Sequence, residues 1–486
     1  MSLDCISRSH LKLLPHQIQV VKWLKNNRGI VAVHPTGSGK TLTAVTASQC
    51  FLDTYPNRQV IVIAPKSLIT NFQKELKQYS GSGQLLYESQ YVFFSFEKFA
   101  RLDYTQRRKV CWGNMMIIDE AHQLRTVARA SISGTDIATV DGTTGEETKE
   151  ELKEKENRSL KIINGTMIAE KVLLLTATPV VNESYDLANL VAMVRGEEPL
   201  TEAQWKRLEQ SGSDLYRHLF GCFHYHSISK TRANKYPDMV IHNTILEMDW
   251  DFYSEYSKIE KRDEKILEKY LLGQKPSAFL HGFRTALLKI PDSAKINFTI
   301  GKIQDVVRNP TEKIVVYSNF VSAGVQYLAK RMEELNIPYG LITGTMSAKK
   351  RQKVVDEYNS RQQRVLFISR AAGLGIDLKE TSQMIVLDVP WNKATLDQAI
   401  GRVVRYESHT LLPEEKQTVE VFVLYVTKPE SSWRYKLSNY WNGWFGKKVF
   451  PAVDLILKTI IDRKALMEET LMGYIRQASL DTFYKE

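Results

Sequence analysis

The sequence predicts an α/β chain: two parallel-sheet domains in tandem, a mostly helical insertion between them, and a helical segment at the end. Three observations predict it. Six short runs are apolar without alternation: VIVIAP (60–65), MMIIDE (115–120), VLLLTAT (172–178), KIVVYS (313–318), RVLFIS (364–369) and MIVLD (384–388). Unbroken apolarity over so short a run is how a strand buried on both faces of a parallel sheet reads. Helical patterns such as SLITNFQKELKQY and GVQYLAKRMEELN lie between the runs, and strand–helix alternation implies α/β architecture. The runs also fall into two groups, one before about residue 182 and one after about residue 312, each as long as one doubly wound domain.

The boundaries follow. Residues 1–182 are expected to form the first sheet domain, 183–300 the helical insertion or linker, 301–428 the second sheet domain and 429–486 a helical brace. The insertion carries patterns such as DFYSEYSKIEKRDEKILEKY, a solvated helix face. Residues 127–166 lack strong apolar periodicity and run from Gly/Thr-rich to highly charged, which predicts a mobile surface excursion. No short-period repeat of the solenoid kind is visible.

With 486 residues, 43% hydrophobic and 25% charged, the composition is that of an ordinary globular protein. No apolar run is long enough to cross a bilayer, so no membrane partner is expected. The start, MSLDCISRSHLKLLPHQ, lacks the apolar core of a secretory signal. Cys5, Cys50, Cys111 and Cys222 are scattered without a framework spacing, which predicts a reducing, intracellular setting. The formal charge of +11 suits a polyanionic partner without establishing one.

VAVHPTGSGKT (31–41) follows an apolar run and precedes a helical pattern. Gly37 and Gly39 let the backbone turn tightly and aim its N–H groups inward, a phosphate cradle that the helix N-terminus reinforces. Pro35, Thr36 and Ser38 complete the loop. Lys40 can reach the β/γ oxygens, and the Thr41 hydroxyl can ligate Mg²⁺. The usual pattern has glycine at position 34, where this sequence has His34. MIIDEAHQL (116–124) ends a buried strand with two carboxylates. Asp119 is placed to hold Mg²⁺, and Glu120 to polarise the water that attacks the γ-phosphate of ATP.

LDQAIGRVVRYESHTLLPEEK (396–416) sets Gln398, Arg402 and Arg405 at helical spacing, which predicts one shared face. A sheet domain takes about 150 residues, so these residues belong to the second one. Across a cleft between domains the arginines would act as fingers on the γ-phosphoryl. Two solvated arginines on a surface helix are the alternative.

Taken together, the motifs resemble those of the superfamily 2 helicase-like ATPases, with two RecA-like domains, and within them the Swi/Snf branch of DNA translocases. LLPHQIQVVKWL resembles the opening adenine-recognition motif, with Gln17 as the adenine reader. HPTGSGKT, VIVIAPKSLITNF, DEAH, TATP, VVYSNF, ISRAAGLGIDL (368–378) and DVPWNKATLDQAIGRVVR follow in the family's order, as motifs I, Ia and II to VI. The nucleoside triphosphatase I type of poxviruses and other large DNA viruses shares H-x-T-G-x-G-K-T, ATP-x-V-N and R-x-x-R-x-x-S-H…L-P. These read here HPTGSGKT, ATPVVN and RVVRYESHTLLP. The sequence departs from the chromatin remodellers, which carry D-E-x-G-x-G-K-T and T-G-T-P. The resemblance does not extend to the longer C-terminal region of the poxvirus enzyme.

The resemblance implies an ATP- and Mg²⁺-dependent, DNA-stimulated ATPase that translocates on duplex or single-stranded DNA and works as a monomer. It implies a role in viral transcription beside an RNA polymerase, in the host cytoplasm (the virus factory) or nucleus, with packaging in the virion open. By the same resemblance Gly375 and Asp377 join the ATP site, with Gly373 nearby. His122, Thr176, Ala177 and Thr178 would couple hydrolysis to movement. Lys66, Ser67, Ser318, Asn319, Thr343, Gly344, Ser369, Arg370, Trp391 and Asn392 would touch nucleic acid, with side chains that suit phosphate and read no base. Two rivals stand: a strand-separating DNA or RNA helicase of the DEAH type, and a binding subunit that uses ATP only to clamp a polymerase. GCFHYHS gathers Cys222, His224 and His226 at no zinc spacing and reads as packing or surface. The aromatic segment 431–450 reads as packing under the last helix, with base stacking or a partner contact as the alternative.

Overall fold

The computed structural model describes residues 4–35, 37–81, 86–124, 149–179, 184–227, 235–262, 280–290, 293–370, 376–390, 393–444 and 450–480. All six apolar runs are strands. The first sheet comprises β1 (Gly29–Val33), β2 (Val60–Ile63), β3 (Tyr91–Phe94), β4 (Met115–Asp119), β5 (Lys171–Thr176) and β6 (Phe223–Tyr225), in the order β3-β2-β4-β5-β1-β6. The second comprises β7 (Asp238–Glu247), β8 (Ile314–Ser318), β9 (Gly340–Ile342), β10 (Val365–Ser369), β11 (Gln383–Val386) and β12 (Thr418–Thr427), in the order β7-β12-β11-β8-β10-β9. Every pairing in both is parallel.

Helices cover both faces of each sheet, and this explains the unbroken apolar runs. Val31, Val33, Ile118 and Leu174 enter one core of the first sheet, and Ile30, Ala32, Ile117 and Leu173 the other. Val315, Tyr317, Leu366 and Val386 enter one core of the second sheet, and Ile314, Val316, Phe367 and Ile385 the other. Among the described residues two compact units result: one from those up to 124, those of 149–227 and those of 465–480, the other from those between 235 and 464.

Four expectations change. Residues 183–300 are not a separate insertion. Their first part gives the first unit the helix Asp186–Arg195, with Leu187, Leu190 and Val191 in its core, and β6. Their second part gives the second unit β7 and the helix Trp250–Arg262. β6 has three residues, and β7 is mostly exposed or half-buried, so neither shows as an apolar run.

The terminal brace is shared. In the helix Val453–Gln477, Val453 and Leu457 pack with Tyr256 and Phe283 in the second unit, while Leu471 and Ile475 enter the core of the first.

The surface excursion is in part a helix, Lys149–Met167, that buries Ile162 and Ile163. Its charged start supplies helix formers, and the apolar pair comes only near the end. Residues 125–148 of that expectation lie outside the described residues.

Finally, Cys5 and Cys50 form a disulfide across 45 positions, a separation that no local spacing reveals, while Cys111 and Cys222 are free and buried. Among the described residues no helix is long and apolar enough to cross a membrane.

Candidate active site

The register of the first sheet gathers the site. Val33 pairs with Thr176 on one side and Tyr225 on the other, and Asp119 pairs with Leu175. The ends of β4, β5, β1 and β6 therefore share the carboxyl edge, where ligands sit in α/β sheets. After β1 the chain turns through Gly37 (φ +85°) and Gly39 (φ +77°) into α2 (Lys40–Thr54), numbered after α1 (Pro15–Asn26). A Cβ on Gly39 would stand 2.3 Å from Gln17 Nε2. His34 is not among the positive-φ residues, so its side chain replaces the usual glycine without backbone strain. Lys40 Nζ donates to the carbonyls of His34 (3.0 Å) and Pro35 (3.2 Å). Ser38 Oγ donates to Pro35 O at 2.7 Å. Thr41 is half-buried, and Thr36 lies outside the described residues.

Gln17, expected to read adenine, braces the loop. Its Oε1 accepts from Leu14 N (2.8 Å), and its Nε2 donates to the carbonyls of Ser38 (3.2 Å) and Gly39 (3.1 Å). The side chain is buried, and both ends of the amide are in use.

Asp119 is buried, and its Oδ1 accepts from Glu120 N at 2.9 Å. Burial first, then the Glu120 carboxylate, pushes Asp119 up to about 7, against the pull of Lys40. Glu120 sits at φ +54°, a left-handed conformation that costs a non-glycine residue about 1–3 kcal/mol and clusters at functional sites. Its Oε2 is buried without a hydrogen-bond partner and lies 3.3 Å from His122 Nδ1, outside bonding geometry. Two crowded carboxylates beside one lysine leave negative charge undercompensated. Asp119 and the Thr41 hydroxyl are hard oxygen donors, so the residues fit Mg²⁺. Among the described residues no cluster of three His, Cys, Asp or Glu could hold a metal ion, so phosphate oxygens and water would complete the ligand set.

The residues expected to couple hydrolysis to movement lie in contact. His122 Nδ1 is 3.2 Å from Thr176 Oγ1, and Thr178 N donates to the same hydroxyl at 3.1 Å, with Ala177 between them in the chain. A path of side chains thus runs from the carboxylate pair to the end of β5.

In the second unit, Gln398 is half-buried on the helix Lys393–Ile400. The shared helical face expected for Arg402 and Arg405 is corrected: the helix stops at Ile400, and both arginines lie in the turns beyond. Ser408 Oγ donates to Arg405 O (2.8 Å) and accepts from Arg405 N (3.3 Å), which folds the chain out of helix. Buried His409 sits 2.8 Å from both Ser408 Oγ and Thr381 O, so the S-H pair of the tail is a clasp. Arg405 Nη1 donates to Ile376 O at 3.1 Å and lies 3.8 Å from Asp377 Oδ1, so Asp377 pairs with an arginine. Gly373, Gly375, Trp391 and Asn392 lie outside the described residues.

The nucleic-acid set divides by burial. Lys66 is exposed at the first turn of α3 (Lys66–Tyr79), Gly344 is exposed, and Arg370 is half-buried. The side chain of Ser67 lies outside what the structure describes. Ser318 and Asn319, expected to touch nucleic acid, are buried and bonded to Asp388. The Ser318 hydroxyl donates to Asp388 Oδ1, Asn319 Nδ2 donates to Oδ2 (2.6 Å), and Asn319 N reaches both oxygens (3.1 and 3.0 Å). Arg284 Nη2 donates to Asp388 Oδ2 (3.3 Å) and Val389 O (2.6 Å), with its guanidinium 4.9 Å from the Phe320 ring centroid. Thr343 is buried, its hydroxyl 3.1 Å from that of Thr345. Ser369 Oγ is buried without a partner. Sequence reasoning missed Asp388, Arg284, His16 and the role of His224 and His226. Of these, Asp388 opens the DVPWNKATLDQAIGRVVR segment and so carried a signal.

The family described as Type III restriction enzyme, res subunit, matches residues 10–181, and the one described as Helicase conserved C-terminal domain matches residues 298–407. The protein L538 of Acanthamoeba polyphaga mimivirus, which carries the name of an ATP-dependent RNA helicase, is 31% identical over 431 residues, covering 84% of this chain and 87% of that protein. An African swine fever virus protein named as a termination factor NPH-I homologue is 22% identical over 536 residues, covering 85% and 71%. A solved SWI2/SNF2 ATPase core of Sulfolobus solfataricus in complex with dsDNA aligns at TM-score 0.36 and 18% identity over 96% of this chain and 97% of that one. The family matches and the mimivirus relative show that the chain belongs to the superfamily 2 helicase-like ATPases, ATP-hydrolysing nucleic-acid motors, and it is similar as well to the termination factor NPH-I homologue.

Proposed function

We propose that the chain is a DNA-stimulated translocase acting in viral transcription, in elongation, termination or transcript release. The observation that carries the motor chemistry is the strained, unpartnered Glu120 carboxylate beside His122, whose ring meets Thr176. In this reading Glu120 takes the proton of the attacking water, and the His122–Thr176 contact passes the change of charge to the sheet edge. Lys40 leaves the carbonyls of His34 and Pro35 for the phosphate oxygens. Thr41 and Asp119 would hold Mg²⁺, which supplies neutralisation of the β- and γ-phosphate charge. Gln398, Arg402 and Arg405 are the second unit's contribution to phosphoryl transfer. Lys66, Arg370 and the backbone at Gly344 are the phosphate-facing groups, and the net charge of +11 favours a polyanion.

The transcription role is supported by the termination-factor name of the African swine fever virus relative. A strand-separating helicase is the second reading, favoured by the RNA-helicase name of the mimivirus relative. The test is ATP hydrolysis by the purified chain with single-stranded DNA, blunt duplex DNA or RNA at fixed salt, alongside displacement of a strand from a tailed duplex. Stimulation by DNA without displacement is expected. Stimulation by RNA alone, with displacement, would replace the translocase by the helicase.

A further inference from the structure

Four imidazoles from separate segments meet beside the phosphate loop. His16 comes from α1, His34 from the end of β1, and His224 and His226 from β6 and its extension. His16, His34 and His224 are buried. His226 continues the sheet, its N donating to Val33 O at 3.1 Å.

The partners fix the protons. His224 Nε2 lies 3.0 Å from Gln19 Oε1, an acceptor, so Nε2 carries the hydrogen and Nδ1 is left to accept. His34 Nε2, 2.8 Å from that Nδ1, must donate. His34 Nδ1 then holds a bare lone pair, buried without a partner. His16 Nε2 faces Ser38 O at 3.0 Å and donates to it. The His16 and His226 rings stack at 3.7 Å with planes 6° apart, and His34 meets both at steep angles, at 5.1 and 5.8 Å.

We propose that His34 and His224 are positioning residues of the phosphate loop, that they hold it through the bond His34 donates to His224, and that a proton on His34 releases it. The proposal rests on the assignment of this loop as the ATP site. His34 is the joint that matters, because its N donates to Thr176 O (3.0 Å) and its O accepts from Lys40 Nζ (3.0 Å). Displacing the ring moves the anchor of the catalytic lysine and the link to β5 together. A second proton would have to sit on Nδ1, facing His16 from α1, Lys40 from α2, and His224 and His226 from the β6 side. β5 offers only the Thr176 carbonyl to the backbone. Burial first, then these four groups, none anionic, holds His34 well below the ordinary histidine value of 6.5. With the folded value depressed, the neutral ring's contribution is intact above 6.5 and is lost as pH falls toward the folded value.

The experiment is steady-state ATP hydrolysis by the full chain between about pH 4 and about pH 8, reaching well below the ordinary histidine value because burial depresses His34, with the melting temperature of each variant recorded. In the wild type the KM for ATP should stay level through pH 6.5 and rise, by about tenfold, only toward the acid end, with kcat changing less. His34→Gln keeps an N–H that can donate to His224 but cannot take the extra proton. It should hold KM within about threefold at neutral pH and abolish the acid rise. His224→Phe strands the His34 N–H and should raise KM about tenfold at neutral pH. An acid rise unchanged in His34→Gln, or a wild-type KM in a folded His224→Phe, would overturn the proposal. If His224→Phe does not fold, the His34→Gln profile decides. Lys40→Ala separates the two levels. Wild-type hydrolysis in Lys40→Ala would sink the loop assignment itself. A dead Lys40→Ala beside unaffected histidine variants would sink only the positioning role.

Discussion

Substituting Asp388 by alanine tests whether the motif around Ser318 and Asn319 grips nucleic acid or holds the fold. Asp388 and Arg284 are both nearly inaccessible, at 2% and 6% exposure, and their ion pair at 3.3 Å is joined by donors from Ser318 and Asn319. Alanine takes from the buried Arg284 guanidinium its carboxylate partner at 3.3 Å, and breaking a buried pair from one side costs about 3–5 kcal/mol. Hydrogen exchange at the β8 and β11 amides reads this loss where it occurs, even if the whole chain does not unfold in one step. The companion substitution Arg284→Met with Asp388→Asn removes both charges, and most of the loss should be recovered, to within about 1–2 kcal/mol. Salt titration of DNA binding supplies the second reading. Ser318→Ala should leave the slope of log K against log salt unchanged, whereas Lys66→Ala should lower it by about 0.9 per lost phosphate contact. A loss below about 1 kcal/mol in Asp388→Ala, or a reduced slope in Ser318→Ala, would refute the strut and restore the grip.

Three further outcomes are expected. Glu120→Gln should keep ATP binding and lower the single-turnover rate about 10²–10⁴-fold; an unchanged rate would leave the polymerase-clamp reading standing. Lys313 is fully buried with Nζ 3.1 Å from Tyr358 O, and burial pulls its ammonium down to about 8 from 10.5. The unfolded chain therefore holds a proton that the folded one sheds between those values, so stability should rise with pH across that window. Lys313→Met should stabilise the second unit at pH 7 by at most about 3 kcal/mol, less the lost hydrogen bond, and the gain should fade as pH climbs past 8; a gain independent of pH would contradict the burial cost. Reduction of the Cys5–Cys50 bond should lower the stability of the first unit by about 2–4 kcal/mol, and Cys5→Ser should be insensitive to reductant; equal sensitivity in both would place the effect elsewhere.

The strands that carry the site were legible because they are buried on both faces and so cannot alternate. β4 and β5 announced themselves this way, and with them Asp119, Glu120 and Thr176. The strands that escaped notice are those whose burial is incomplete or brief. β6 has three residues, and β7 leaves Met239, Ile241 and Ile245 exposed. β12, though mostly buried, carries Glu420 near its start, which breaks the apolar run. Because β6 was missed, the fourfold histidine contact was missed too. GCFHYHS shows no metal spacing, and nothing local says that its imidazoles lie beside residues 190 and more positions away. The Asp388 hub was hidden for the same reason, since Arg284 reaches it from 104 positions upstream.

A motif read as a row of ligand contacts merges two uses of a polar side chain, reaching a ligand and holding the backbone that reaches it. Gln17, Ser318, Asn319, Ser408 and His409 all serve the second use here, and each is buried with its hydrogen bonds made inside the protein. Apolar periodicity cannot separate the two uses, because it reports which nonpolar positions face a core and is silent on polar ones. Burial separates them. A buried polar group without its internal partner costs about 1–3 kcal/mol, so such residues are as constrained as true ligand contacts and look the same in a motif. The groups that remain for chemistry are those the fold leaves unsatisfied or strained. At the phosphate site of the first unit such groups include the Glu120 Oε2, on a left-handed backbone, and the His34 Nδ1, each buried with no hydrogen-bond partner among the described residues. In the second unit the Ser369 hydroxyl at the end of β10 is one such group, buried with no hydrogen-bond partner among the described residues.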